Sequence, residues 1–120
     1  TANWSRSEAM SLMETWLTTY GDEIDAVVSE NDEMALGARQ AIEAEGYDIP
    51  CIGIDGITDA VSAIENGGMI ASDFQNAEGQ ITGAIEAAVK VLNGETVEKE
   101  IWIPFEMITP ENVEDYKGKY

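Results

Sequence analysis

The stretch 24–46 constrains this chain most. It opens with the apolar run Ile24-Asp25-Ala26-Val27-Val28, passes Ser29-Glu30-Asn31-Asp32, and continues as Glu33-Met34-Ala35-Leu36-Gly37-Ala38-Arg39-Gln40-Ala41-Ile42. A short β-branched run followed without a gap by apolar residues at three-to-four spacing predicts strand, tight turn and helix. Asn31 and Asp32 stand at the turn. Either can cap the orphan amides at the start of the helix. Alternatively, one caps while the other points out of the carboxyl end of the strand, the edge where open α/β sheets bind ligands. From this unit alone capping is the simpler account.

The flanking sequence repeats the rhythm. A first helix carries Ala9, Met10, Met13, Trp16, Leu17 and Tyr20 at helical spacing and stops at Gly21. Because a helix in an alternating chain normally follows a strand, Thr1 to Asn3 are expected to be the end of one. The helix of the central unit ends at Glu45-Gly46, where glycine supplies a left-handed cap. A strand Cys51-Ile52-Gly53-Ile54 then stops at Asp55-Gly56, and a short helix from Thr58 or Asp59 to Glu65 closes at Asn66-Gly67-Gly68. Residues 69–75 predict a strand, and 78–92 a helix with the stripe Ile81, Ala84, Ile85, Ala88, Val91 and Leu92. A strand is expected over 101–108, demoted to an edge or crossing segment by Pro104, and Thr109-Pro110-Glu111 starts a short helix towards Tyr116. The fold class that follows is α/β, a mostly parallel sheet with helices on both faces. At 120 residues this is one domain at most.

Charge and composition exclude several function classes. Six Lys and Arg against 24 Asp and Glu give a net charge of −18, which repels phosphate backbones, so nucleic acid is not an expected partner. With no His, neither a Ser-His nor a Cys-His nucleophile pair can form within the chain. The lone Cys51, in an apolar strand, reads as a small core residue. No apolar run approaches the roughly 20 residues of a membrane span. The start, Thr1-Ala2-Asn3-Trp4, has neither the charge nor the apolar core of a signal peptide. The acidic groups Asp22, Glu23, Asp25 and Glu30, Asp32, Glu33 lack the spacing of a calcium loop and read as solvated surface. A phosphoacceptor role for Asp55 would require a cation beside it, and Lys90, Lys99, Lys117 and Lys119 stand at no strand end. No enzymatic activity, metal or cofactor is expected.

The strand ends are the informative feature. Three successive strands finish at Asn31, Asp55 and Gln75, and the strand expected before the first helix would deliver Trp4 to the same edge. Two amides and a carboxylate supply paired donors and acceptors, and an indole supplies a flat apolar face. That set suits a neutral polyhydroxylated ring. Each residue also has a plainer reading: Asn31 as cap, Asp55-Gly56 as turn, Gln75 as solvated strand end, Trp4 as core. Their occurrence in register at consecutive strand ends favours a site.

The runs Asn31-Asp32-Glu33-Met34-Ala35-Leu36-Gly37-Ala38, Ile49-Pro50-Cys51-Ile52-Gly53-Ile54-Asp55-Gly56, Ile64-Glu65-Asn66-Gly67 and Phe74-Gln75 resemble the C-terminal part of ribose- and galactose-type periplasmic sugar-binding proteins, the solute receptors of bacterial ABC importers. The likeness extends to the ending Ile108-Thr109-Pro110-Glu111-Asn112-Val113. It implies an aromatic residue at Trp4 stacking on the sugar, and Asn31, Asp55 and Gln75 hydrogen-bonding its hydroxyls. It implies further a monosaccharide or polyol ligand, a membrane permease as partner, and a periplasmic or extracellular location, lipid-anchored in a Gram-positive cell.

Two departures follow from the same resemblance. The family has two α/β lobes with the ligand between them, and this sequence matches only part of the second, the flavodoxin-like half, without the arginine often contributed from outside it. The expected division is 1–75 as part of the C-terminal sugar-binding lobe, 76–108 as a hinge crossing, helix and strand that pack on the first lobe, and 109–120 as a tail with a short helix. The chain is thus expected to be a fragment whose fourth helix lacks its native sheet. Homodimerisation, swapping or rearranged packing would then cover the exposed stripe. The alternative function is the effector-sensing domain of a LacI-type regulator. Such domains usually carry an aspartate pair after the strand glycine, where Asp55-Gly56 stands here, which favours transport.

Overall fold

The computed structural model describes residues 1–119. Four helices, α1 (Arg6–Tyr20), α2 (Asp32–Ala44), α3 (Thr58–Glu65) and α4 (Ala77–Leu92), alternate with four strands, β1 (Val27–Val28), β2 (Cys51–Asp55), β3 (Ala71–Phe74) and β4 (Glu106–Ile108). Short 3-10 turns occupy Gly21–Glu23 and Val113–Tyr116. Polar side chains start three of the helices. Ser5 Oγ accepts from the Glu8 amide at 3.4 Å, Asn31 Oδ1 from the Met34 amide at 2.9 Å, and Asn76 Oδ1 from the Gly79 amide at 2.8 Å.

The sheet has the order β1-β2-β3-β4, with the first three strands parallel and β4 antiparallel to β3. Ile52 pairs with Val28 on one side and Ala71 on the other, and Phe74 faces Glu106. Both parallel crossovers step the same way across the sheet, so right-handedness places α2 and α3 on one face. α1 packs along α2 in the same layer. Between this layer and the sheet lies a single core of Met13, Leu17, Leu36, Ile42, Cys51, Ile64, Phe74 and Ile108, among others. The opposite face keeps Val28 75% exposed. The helical sandwich that the alternating rhythm implies is present here as its one covered half.

Two close approaches set the layer's geometry. A Cβ on Gly37 would lie 2.1 Å from the carbonyl oxygen of Arg6, so α1 and α2 touch backbone to backbone there. A Cβ on Gly53 would lie 2.1 Å from Asp32 Oδ1, so only glycine in the middle of β2 admits that carboxylate beneath the sheet.

α4 stands apart from the core. None of its residues is buried, and Leu92 is 86% exposed. The returning chain lies along it, with Ile103 Cδ1 3.5 Å from where a Gly83 Cβ would sit, and together they form an arm that stretches the molecule to 59 × 30 × 20 Å. The chain leaves the sheet after Phe74 and re-enters beside it at Glu106. No helix is long and apolar enough to cross a membrane, among the described residues.

Four sequence expectations are corrected in extent. Thr1 to Asn3 form no strand; Asn3 and Trp4 turn through positive φ (+48° and +58°) into the Ser5 cap. β1 is two residues, because Gly21–Glu23 continues the first helix as a 3-10 turn before the chain extends. The last strand begins only at Glu106, since the five residues before it run along α4 rather than beside β3. The terminal helix is a single 3-10 turn, Val113–Tyr116, preceded by Asn112, whose Oδ1 accepts from the Thr109 amide at 2.7 Å.

Gly37→Ala is expected to lower stability by about 2–3 kcal/mol, because the added methyl must push two helix backbones apart. Gly83→Ala, where the methyl meets Ile103 at ordinary contact distance, should be neutral or raise helix stability by up to about 1 kcal/mol. Urea unfolding followed by circular dichroism at 222 nm compares the two; equal effects would show that the α1–α2 contact is not tight.

Candidate functional site

The carboxyl edge of the parallel strands meets the amino ends of α1, α2 and α3. Arg6 ties these ends together: its Nε and Nη2 grip Glu33 at 2.7 and 2.9 Å, and Nη2 also reaches Asp59 Oδ2 at 2.9 Å. Glu33 lies in the first turn of α2 and Asp59 in the first turn of α3, where negative charge also meets the positive helix ends. One guanidinium therefore fixes three helix starts around the edge, a cross-link that the sequence reading did not foresee.

Of the four sequence-predicted residues, three stand side by side. Asn31 follows β1, Asp55 ends β2, and Gln75 follows β3, its amide donating to the Asp55 carbonyl at 3.0 Å. Asn31 is 8% exposed, and its oxygen is committed to the α2 cap. The cap uses only that oxygen and not the NH2 group. Asp55 is half-buried and holds φ at +122°, a region that non-glycine residues rarely adopt. Gln75 Nε2 donates across the start of α4 to Gln80 Oε1 at 3.4 Å. Trp4, 74% exposed, lies two residues before the Arg6 clamp. The structure holds it at the same end of the molecule as the others through that clamp, with an open indole rather than a core position.

Asp32 is where the sequence reading fails. It is neither cap nor solvated charge: it is 0% exposed, beneath β2. Oδ2 accepts from the Gly56 amide at 2.7 Å and the Ile57 amide at 2.9 Å, and Oδ1 from the Ser72 hydroxyl at 2.6 Å. The signal that could have found it is Gly53, a glycine inside an otherwise apolar strand, which marks a close approach by another group.

Burial raises the pKa of Asp32, opposed by the hydrogen bonds from Ser72, Ile57 and Gly56. Burial also raises Asp55, opposed by a hydrogen bond from the Asp32 backbone amide. A raised folded-state pKa favours the protonated form, so each contribution to stability is full below the ordinary aspartate value and is lost as pH rises through the raised one. The strand ends thus present one carboxylate and two side-chain amides, with the exposed indole of Trp4 ahead of the first helix. Among the described residues no group of three or more His, Cys, Asp or Glu could hold a metal ion.

A family model described as periplasmic binding protein domain matches residues 1–96. A putative rhizopine-binding protein of Rhizobium meliloti is 46% identical over 99% of this chain and 39% of its own length. A xylitol-binding protein of Mycolicibacterium smegmatis is 37% identical over 95% of this chain and 33% of its own. An ABC transporter solute binding protein of Bacillus halodurans, solved with bound myo-inositol, superposes with a TM-score of 0.89 at 50% identity, over 100% of this chain and 42% of that one. This chain thus spans only about a third to two fifths of the length of these relatives.

Carboxyl carbon resonances of Asp32 and Asp55 followed against pH are expected to titrate above the ordinary aspartate range. Midpoints inside or below that range for both would show that their hydrogen bonds outweigh burial.

Proposed function

Because this chain belongs to the periplasmic binding protein domain family, we propose that it supplies part of the ligand-binding lobe of a solute receptor for a bacterial ABC importer. The receptor binds a monosaccharide or polyol between two lobes and releases it to a membrane permease without covalent chemistry. The observation that carries this reading is the placement of Asn31, Asp55 and Gln75 at the adjoining ends of three consecutive parallel strands. In it, Asp55 accepts from two ring hydroxyls, Asn31 donates its NH2, Gln75 completes the set, and Trp4 stacks on the C–H face of the ring.

The arm formed by α4 and its return segment supports the division at residues 75–76 and 108. Its apolar face has no core of its own in this chain, and its two connections to the sheet lie side by side at Phe74 and Glu106. In this reading residues 76–108 complete the first lobe, the paired connections form a hinge, and residues 109–120 close the second lobe. A periplasmic or cell-surface location follows from the family. The solute-binding relatives favour this reading over an effector-sensing regulator domain.

Among ligands, a cyclitol comes first, because the structure at 50% identity holds myo-inositol. Tryptophan fluorescence of the full-length protein, titrated with myo-inositol, xylitol, D-ribose and D-galactose, is expected to saturate with one member. Asp55→Ala should weaken that binding by about 2–3 kcal/mol, on the order of a hundredfold in Kd, by removing a charge-assisted acceptor. Lys99→Ala should leave it unchanged. A folded protein that responds to no member would overturn the receptor reading, and an unchanged Kd in Asp55→Ala would remove Asp55 from the site.

A further inference from the structure

We propose that Asp32 is a positioning residue, whose buried carboxylate holds the turn after β2 in the one conformation that presents Asp55 to a ligand. The inference rests on the binding reading above. The turn is conformationally demanding: Asp55 has φ +122° and Gly56 φ +75°, so two consecutive residues occupy the half of φ space that side chains disfavour. Asp55 cannot escape by being glycine, and something outside the turn must hold it there.

Asp32 is placed to do so. The successive amides of Gly56 and Ile57 converge on a single oxygen, Oδ2, at 2.7 and 2.9 Å, the arrangement by which consecutive N–H groups enclose an anion. The other oxygen accepts from Ser72 Oγ at 2.6 Å, and Ser72 Oγ in turn lies 3.1 Å from the Gly56 amide. Ser72 is itself fully buried on β3, so the turn is held from the α2 side and from the neighbouring strand at once. The Asp32 carboxylate occupies the space left by the missing side chain of Gly53, and no solvent reaches it. A small rotation of the turn would swing Asp55 away from Asn31 and Gln75. Asp32 therefore acts on the ligand only through Asp55.

Asp32→Asn keeps the size of the side chain and one oxygen for the two amides, but turns an NH2 towards the Ser72 hydroxyl. In the full-length protein two readouts are taken together. The first needs no ligand: hydrogen exchange of the Gly56 and Ile57 amides should quicken at least tenfold in Asp32→Asn, while core amides of α1 keep their protection. The second is a double-mutant cycle with Asp55→Ala, read as Kd for myo-inositol. Asp32→Asn alone should raise Kd about tenfold, and Asp55→Ala should cost clearly less in the Asp32→Asn background than in the wild type. A residue that merely supports the fold would give independent, multiplicative losses, and that result overturns the proposal. Should Asp32→Asn fail to fold, Ser72→Ala carries the same cycle with a smaller effect of the same sign. If the wild-type protein binds no myo-inositol, the ligand choice fails separately, and unchanged Gly56 and Ile57 exchange would still overturn the role of Asp32.

Discussion

A carboxylate closed off from water has to find its compensation inside the chain, and the structure around Asp32 is arranged to give it. Stripping an ionised carboxyl of solvent costs several kcal/mol unless hydrogen bonds replace the water. Here two backbone amides and one hydroxyl do so, drawn from the end of β2 and from β3. The side chain itself comes from the first residue of α2, where the helix end adds a favourable field. One buried charge thus joins a helix, a turn and a neighbouring strand. It also dictates sequence elsewhere: glycine at position 53, a hydroxyl at position 72, and a residue free to take positive φ at position 56.

Around that point the remaining contacts form a second ring nearer the surface. The Arg6 ion pairs with Glu33 and Asp59 are partly exposed, with 31% of the arginine side chain open, so each adds little to global stability. Their value is geometric, since they set three helix starts and the Trp4 turn relative to the strand ends. On the other side of β3 the tail does similar work. Tyr116 donates to Glu106 at 2.7 Å, which pushes its hydroxyl up to about 12, and its ring meets Phe74 edge-on with centroids 5.3 Å apart. Phe74 is the last residue before the chain leaves the sheet and Glu106 the first after it returns, so the tail clamps both connections of the arm at their roots. In the arm beyond them, no described residue of α4 is buried.

How legible this was in the sequence follows from the range of each signal. The periodic patterns of α1, α2 and α4 act within a few residues, and their boundaries emerge within two residues of expectation. The sequence expects too long a last strand because Ile101-Trp102-Ile103 is as apolar as one, yet lies along α4; hydropathy does not say which neighbour an apolar run will meet. Asn31 and Asp55 share an edge, as expected, because residues at successive strand ends do so in any parallel sheet. Asp32 escapes a local reading because its partners are 24, 25 and 40 residues away, and an acidic residue among acidic neighbours has the local signature of surface.

The residues that would touch a ligand lie at strand ends and announce themselves by position, whereas the residue that orders them is hidden one layer below and announces itself only by a missing side chain opposite. Asn31 and Asp32 are neighbours, and the chain divides two tasks between them. The first caps the Met34 amide with its oxygen; the second turns inward and fixes the turn that carries Asp55. Exchanging their order would place an amide against two converging N–H groups and a charge at the cap. A carboxylate caps a helix well, but an uncharged side chain in the buried position would hold Gly56 and Ile57 more weakly, because hydrogen bonds to a charged acceptor are roughly twice as strong. The order Asn-Asp, rather than the mere presence of two polar residues, is therefore what the geometry of this edge requires.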